Sequence, residues 1–149
     1  MATFPGFVVL PSLLFVRDGA GEYQNTVGSG LFTSVRRGGG SLVGWMNGEL
    51  IDSEMYGRRC SGGRGGYGIV VKGGLILDCY EEYLRGRCPM SYINSAHMAF
   101  VRCGDGTYRA CRNNCEYVLH GYRVSVRTLC VVAPGSELLA CYGASYTDY

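Results

Sequence analysis

The sequence predicts a mainly β fold, and three observations carry that expectation. Glycine occurs 24 times in 149 residues, about twice its usual frequency, so the chain turns often. Twelve tyrosines and many Val, Leu and Ile residues favour extended segments over long helices. Short apolar runs are punctuated by turn pairs, Gly73-Gly74, Asp105-Gly106 and Pro134-Gly135. With 47% hydrophobic residues, the chain has material for one domain with a core, taken as residues 1–149.

Element by element, Phe7 to Leu10 and Leu13 to Val16 read as two short edge strands split by Pro11. Gly28-Ser29-Gly30 leads into a strand over Leu31 to Val35, and a turn over Arg36 to Gly40 precedes another over Ser41 to Met46. Residues Asp52 to Gly66 hold three arginines and five glycines without an apolar period, which predicts an exposed, mobile loop. Tyr67 to Lys72 and Leu75 to Cys79 flank a two-residue hairpin turn at Gly73-Gly74, and Asp78 to Gly86 holds one short helical turn. Ala99 to Cys103 and Thr107 to Cys111 flank Asp105-Gly106; a two-residue turn there sets Cys103 opposite Tyr108, not Cys111. Tyr122, Val124 and Val126 alternate with Arg123, Ser125 and Arg127, a half-buried strand with its arginines on the outer face.

Several function classes are disfavoured. The net charge is +2, and the basic residues, all arginine except Lys72, form no run; direct nucleic-acid binding is not expected. The apolar stretch from Phe7 to Val16 is too short for a bilayer and follows no basic segment, so neither signal peptide nor anchor is expected. The eight cysteines, Cys79 and Cys130 among them with apolar neighbours, read as reduced and mostly buried thiols. Cys103, Cys111 and Cys115 lack Cys-x-x-Cys spacing, and no metal is expected. His97 and His120 suggest no general base, and no Gly-x-Ser-x-Gly nucleophile motif occurs.

Segments in order over roughly residues 25 to 146 resemble the SET family of protein-lysine methyltransferases. Gly28-Ser29-Gly30-Leu31-Phe32 looks like its Gly-x-Gly entry, and Asn47 to Ile51 like the end of its next strand. Leu75-Ile76-Leu77-Asp78-Cys79 resembles its Ile-Asp-Ala strand, and Ser91-Tyr92-Ile93-Asn94-Ser95 its Arg-Phe-Ile-Asn-His segment. Asn113-Asn114-Cys115-Glu116 is similar to Pro-Asn-Cys-Glu. Gly135 to Leu139, followed by Cys141-Tyr142-Gly143 and Tyr146, is similar to the closing motif in its PR-type form, the most specific match. Ser91, Ser95, Met46 and Cys141 depart from the family's arginine, histidine, tyrosine and aspartate, and residues 97–112 form an insertion, either tolerated decoration or a substrate contact.

The resemblance implies a SET-domain, β-clip-like fold of small curved sheets: short N-terminal strands over 1–24, a core over 25–146 and an aromatic tail over 147–149. The closing segment would thread beneath the loop after Asn94 in a knot-like crossing. It implies transfer of a methyl group from S-adenosylmethionine to a lysine of a protein substrate, a histone tail being the expected class, in an intracellular, nuclear setting. The alternative is a catalytically silent module that binds a peptide or partner. Gly28, Ser29, Gly30, Tyr67, Asn94, Ser95 and Tyr142 would hold the cofactor, with Asn94 either binding it or capping the crossing and Tyr67 otherwise a strand-edge aromatic. Met46, Tyr117, Ala140 and Tyr146 would line the lysine channel, Tyr142 and Tyr117 being catalytic. In the family a bulky aromatic usually stands at the Ala140 position; here Tyr117 is expected to fill the space, hold a water and limit the product to monomethyl-lysine. Tyr146 and Tyr149 are expected to cover the site from the tail.

Overall fold

The computed structural model describes residues 3–141. Its strands are β1 (Thr3–Phe4), β2 (Phe7–Pro11), β3 (Phe15–Arg17), β4 (Tyr23–Gln24), β5 (Ser29–Thr33), β6 (Leu42–Trp45) and β7 (Glu49–Ile51). After the helix α1 (Ser53–Ser61) come β8 (Gly68–Val70) and β9 (Ile76–Asp78), then the short helix α2 (Tyr80–Leu84). A 3-10 turn at Pro89–Tyr92 leads to β10 (Ala99–Arg102), β11 (Tyr108–Ala110), β12 (Cys115–His120), β13 (Arg123–Thr128) and β14 (Ala140–Cys141).

These strands form small sheets, none closed into a barrel, ordered β1-β2-β5, β11-β10-β3-β4, β14-β12-β13-β6 and β7-β9-β8. The pairings are antiparallel except that of β12 with β14. Leu31, Met90, Ile93, Val126 and Leu138 form one buried cluster, and Ile69, Leu77 and Val124 belong to a second. Met46 and Tyr117 pack against both. A third cluster joins Leu14, Ala96, Ala99 and Leu139. The mainly β expectation is met, and no helix among the described residues is long and apolar enough to cross a membrane.

Several local expectations are corrected. The segment read as a mobile loop contains α1, a nine-residue helix capped by Asp52, whose Oδ1 accepts the Met55 N–H at 2.8 Å. Glu54 in its first turn and Arg58 and Arg59 in its last complement the helix dipole. No residue of α1 is buried, so no apolar period announces it. Arg59 holds it down, reaching Asp78 at 2.8 Å and Glu49 at 3.0 Å.

The strands on either side of Pro11 are not edges. β2 lies between β1 and β5, and β3 between β10 and β4. Pro11 is the last residue of β2, opposite Ser29, where a missing N–H costs little. On β13, Arg123 and Arg127 are exposed as expected, while Ser125 between them is buried: Trp45 lies directly opposite on β6, and the His120 Nε2 stands 2.9 Å from the Ser125 Oγ.

Both predicted hairpins form, with three-residue loops instead of two. Val71 N–H reaches Leu75 O at 2.8 Å, leaving Lys72 to Gly74 as the loop. Cys103 N–H donates to Thr107 O at 2.7 Å, so Cys103 faces Thr107 instead of Tyr108 and still does not face Cys111. The seven described cysteines are free thiols, but only Cys79, Cys88 and Cys115 are buried, and Cys130 is exposed beyond the end of β13.

Residues 97–112 are part of the packed structure and not surface decoration. β10 pairs with β3, and Phe15, Tyr23, Phe100 and Tyr108 form an aromatic cluster in which Tyr23 and Tyr108 stack at 4.0 Å.

Candidate functional site

The segment from Gly135 to Cys141 joins parts of the chain remote in sequence. Leu138 N–H donates to Leu31 O at 2.8 Å, Ala140 N–H to Asn94 O at 3.0 Å, and both Asn114 and Cys115 N–H to Leu139 O at 2.9 Å. The Asn114 side chain adds a clamp: its Nδ2 donates to Glu137 O and its Oδ1 accepts from Leu139 N–H, each at 2.9 Å. Asn94 and the closing segment, 43 residues apart at Glu137, therefore meet.

Glu137, read only as part of a motif, is the hub of this junction. Its buried carboxylate accepts the Ser12 hydroxyl at 2.8 Å, the Leu13 N–H at 2.9 Å and the Asn94 Nδ2 at 3.3 Å. Those donors replace water around the charge. The same Asn94 Nδ2 reaches Ser29 O at 2.9 Å, fixing the glycine-flanked entry of β5. A Cβ on Gly30 would strike the Glu137 carboxylate. Glu137 and the Asn94 amide thus make the close approach at Gly30 and require glycine there on their own account. Gly28 differs: its φ is +92°, and a Cβ would meet nothing within 4 Å.

Two cavities meet at Asn94. One of about 290 Å3 is lined by Met46, Tyr67, Ser91, Asn94 and Tyr117, with Ile69 and Ile93 among its apolar walls. The other, of about 230 Å3, is lined by Gly28, Ser29, Tyr67, Tyr83, Tyr92 and Asn94. Tyr67, Ser91 and Asn94 belong to both. Four of the residues singled out from sequence, Met46, Tyr67, Asn94 and Tyr117, thus share the first cavity, and Gly28 and Ser29 stand at the second.

The tyrosines form a connected wall. Tyr67 stacks on Tyr83 at 4.3 Å and meets Tyr80 edge-on at 5.7 Å, and Tyr83 lies 5.1 Å from Tyr92. Burial, helped by the hydrogen bond with Tyr83, holds the Tyr67 phenol well above its ordinary range; burial also raises Tyr92. Both rings are neutral at physiological pH and offer hydroxyls and π-faces. Tyr83 and Tyr92 carried no functional role in the sequence; the stacking that recruits them is tertiary. At the shared wall the Ser91 Oγ is buried without a partner in hydrogen-bond geometry, its polar neighbour being the Cys88 thiol.

Ala140 is fully buried and pairs with Cys115. Tyr117, two residues along β12 from Cys115, lies on the same face and packs against the cluster containing Ala140. Ala140 itself lines neither cavity. Ser95 also stands apart, lining a separate depression with Ala96 to Met98 and Cys111 to Asn113, its Oγ accepting the His97 N–H at 3.1 Å. Tyr142, Tyr146 and Tyr149 lie outside the described residues. Among the described residues no three His, Cys, Asp or Glu side chains converge as metal ligands. No protein-family model and no curated protein matches this chain.

Proposed function

We propose that the chain is a SET-type protein-lysine N-methyltransferase using S-adenosylmethionine, with a nuclear histone tail as the expected substrate. The observation that carries the reading is the convergence of Met46, Tyr67, Asn94 and Tyr117 on one cavity at the point where residues 137–140 cross Asn94. The SET fold itself is part of the proposal; small open sheets and a parallel bridge between Asn94 and Leu139 support it.

The residues fit such a cofactor. The Ser91 Oγ, beside the Cys88 thiol, stands at the wall shared by the cavities, and the open space beside Gly28 leaves its backbone approachable. When bound, S-adenosylmethionine supplies a methyl group on a positively charged sulfur. Gly28, Ser29 and Asn94 would hold and orient it, while the tyrosine faces favour cationic groups. The apolar wall of Ile69 and Ile93 excludes water from an incoming lysine; an amine with an ordinary pKa near ~10.4 is thereby shifted toward its neutral, nucleophilic form. Tyr117, at the same wall, would place its hydroxyl near the lysine nitrogen, and alignment in a narrow passage lowers the barrier further.

The test is calorimetry with S-adenosylmethionine, followed by mass spectrometry of histone peptides. Saturable binding and a mass gain of one methyl group are expected; no binding at millimolar cofactor would sink the reading. Tyr117→Phe should shift the product from monomethyl- toward di- and trimethyl-lysine with the first transfer nearly intact. An unchanged profile would remove Tyr117 from that role.

A further inference from the structure

A larger cavity, about 430 Å3, lies beside the closing segment and shares no lining residue with the tyrosine-walled cleft. Its apolar walls include Leu13, Leu14, Val101 and Leu139, and its rim carries Arg109 and Arg112. Leu14 and Leu139 are core residues, while Leu13 is 58% exposed, so an apolar surface runs from the core out to solvent. Val101 pairs directly with Arg109 across β10 and β11, which puts both on one face of the hairpin. Val101 packs on the cluster of Leu14 and Leu139, so Arg109, itself exposed, rises from the same side of the hairpin at the mouth of the cavity. Neither Arg109 nor Arg112 forms an ion pair among the described residues. The acid in the wall, Glu137, is already met by Ser12, Leu13 and Asn94.

We infer that this cavity binds a small organic oxyanion, a carboxylate or phosphate ester carried on an apolar body. The guanidinium forks suit a bidentate oxyanion, and a pocket of this size whose lining is shared between apolar and polar groups suits a small amphipathic ligand. The apolar body lies against Leu13, Leu14 and Val101, and the anionic head meets Arg109 and Arg112. Because Glu137 reaches from this wall to Asn94, the site is joined to the tyrosine-walled cleft by hydrogen bonds. The inference is independent of the methyl-transfer reading, since occupancy is measured without cofactor.

Calorimetry on the full chain with octanoate, octyl phosphate, octanol and inorganic phosphate tests it. Octanoate or octyl phosphate is expected to bind at least tenfold more tightly than octanol and than inorganic phosphate, and the ratio of the first two identifies the preferred head group. Arg109→Gln combined with Arg112→Gln should weaken binding of the favoured anion at least tenfold with an unchanged thermal midpoint. Leu13→Ser should weaken it too, through the tail instead of the head. Failure of both anions to bind, octanol binding as tightly as they do, or a double variant that binds like wild type would each overturn the proposal.

Discussion

At Gly30 the room for a single methyl group is taken by the Glu137 carboxylate, and that carboxylate is held by three donors from two other segments. Gly30→Ala therefore forces the charge off its donors, and a loss of about 1–3 kcal/mol is expected in urea unfolding. A variant as stable as wild type would contradict this account. Titration behaviour is also decided residue by residue. Burial pushes the Cys115 thiol up to about 12 from an ordinary 9.0. Between those values the folded chain keeps a proton that the unfolded chain has released, so stability is full below pH 9 and falls as pH rises toward 12. The slope is at most about 1.4 kcal/mol per pH unit for this group. Tyr67, also raised, extends the fall above the ordinary tyrosine range. Denaturant midpoints measured from pH 8 to 11 should drop, with a shallower drop in Cys115→Ala; equal slopes would show that another group controls it.

Helix α1 shows what a sequence hides at the scale of elements. Its cap, Asp52 with the Met55 N–H, and its charge order were present in the sequence, but with no buried face there was no period to read. The helix is attached through an ion pair of unequal exposure, Arg59 at 16% and Asp78 at 1%. Removing the guanidinium strands a buried carboxylate that otherwise keeps only the Tyr80 N–H at 3.1 Å. Arg59→Ala should lower the urea midpoint clearly and speed hydrogen exchange over residues 53–61. Arg58→Ala, which breaks an exposed pair with Glu54, should cost under about 0.5 kcal/mol. Equal effects would remove the anchoring role of Asp78. Hairpins were legible because Gly73-Gly74 and Asp105-Gly106 announce turns, whereas their registers depended on loops one residue longer than expected. In the cleft, Met46, Tyr67, Asn94 and Tyr117 were legible through motif resemblance. Tyr83 and Tyr92 were not, since they enter through ring stacking that no local spacing encodes.

Across the whole molecule, residues 135–141 and the hairpin over 97–112 both tie the N-terminal strands to the later sheets. β10 supplies the partner of β3, and Ala99 and Val101 cover Leu14 and Leu139. A loop inserted as decoration carries little buried surface and can be shortened at small cost; this hairpin instead completes a sheet and half of an aromatic cluster. Its parts should therefore respond differently to deletion. Replacing Gly104-Asp105-Gly106 by Asn-Gly changes an exposed tip and should shift stability by about 0.5 kcal/mol or less. Replacing residues 97–112 by a short glycine linker exposes Leu14 and Leu139, each worth about 1.5–3 kcal/mol when buried, and removes the aromatic neighbours Phe100 and Tyr108 from the Phe15 and Tyr23 rings. That loss is comparable to the whole stability of a small domain, about 5–15 kcal/mol, so the excised chain should melt far lower or fail to fold. Circular dichroism melts of the two variants decide the matter: an excised chain melting within a few degrees of wild type would return residues 97–112 to the status of a tolerated loop.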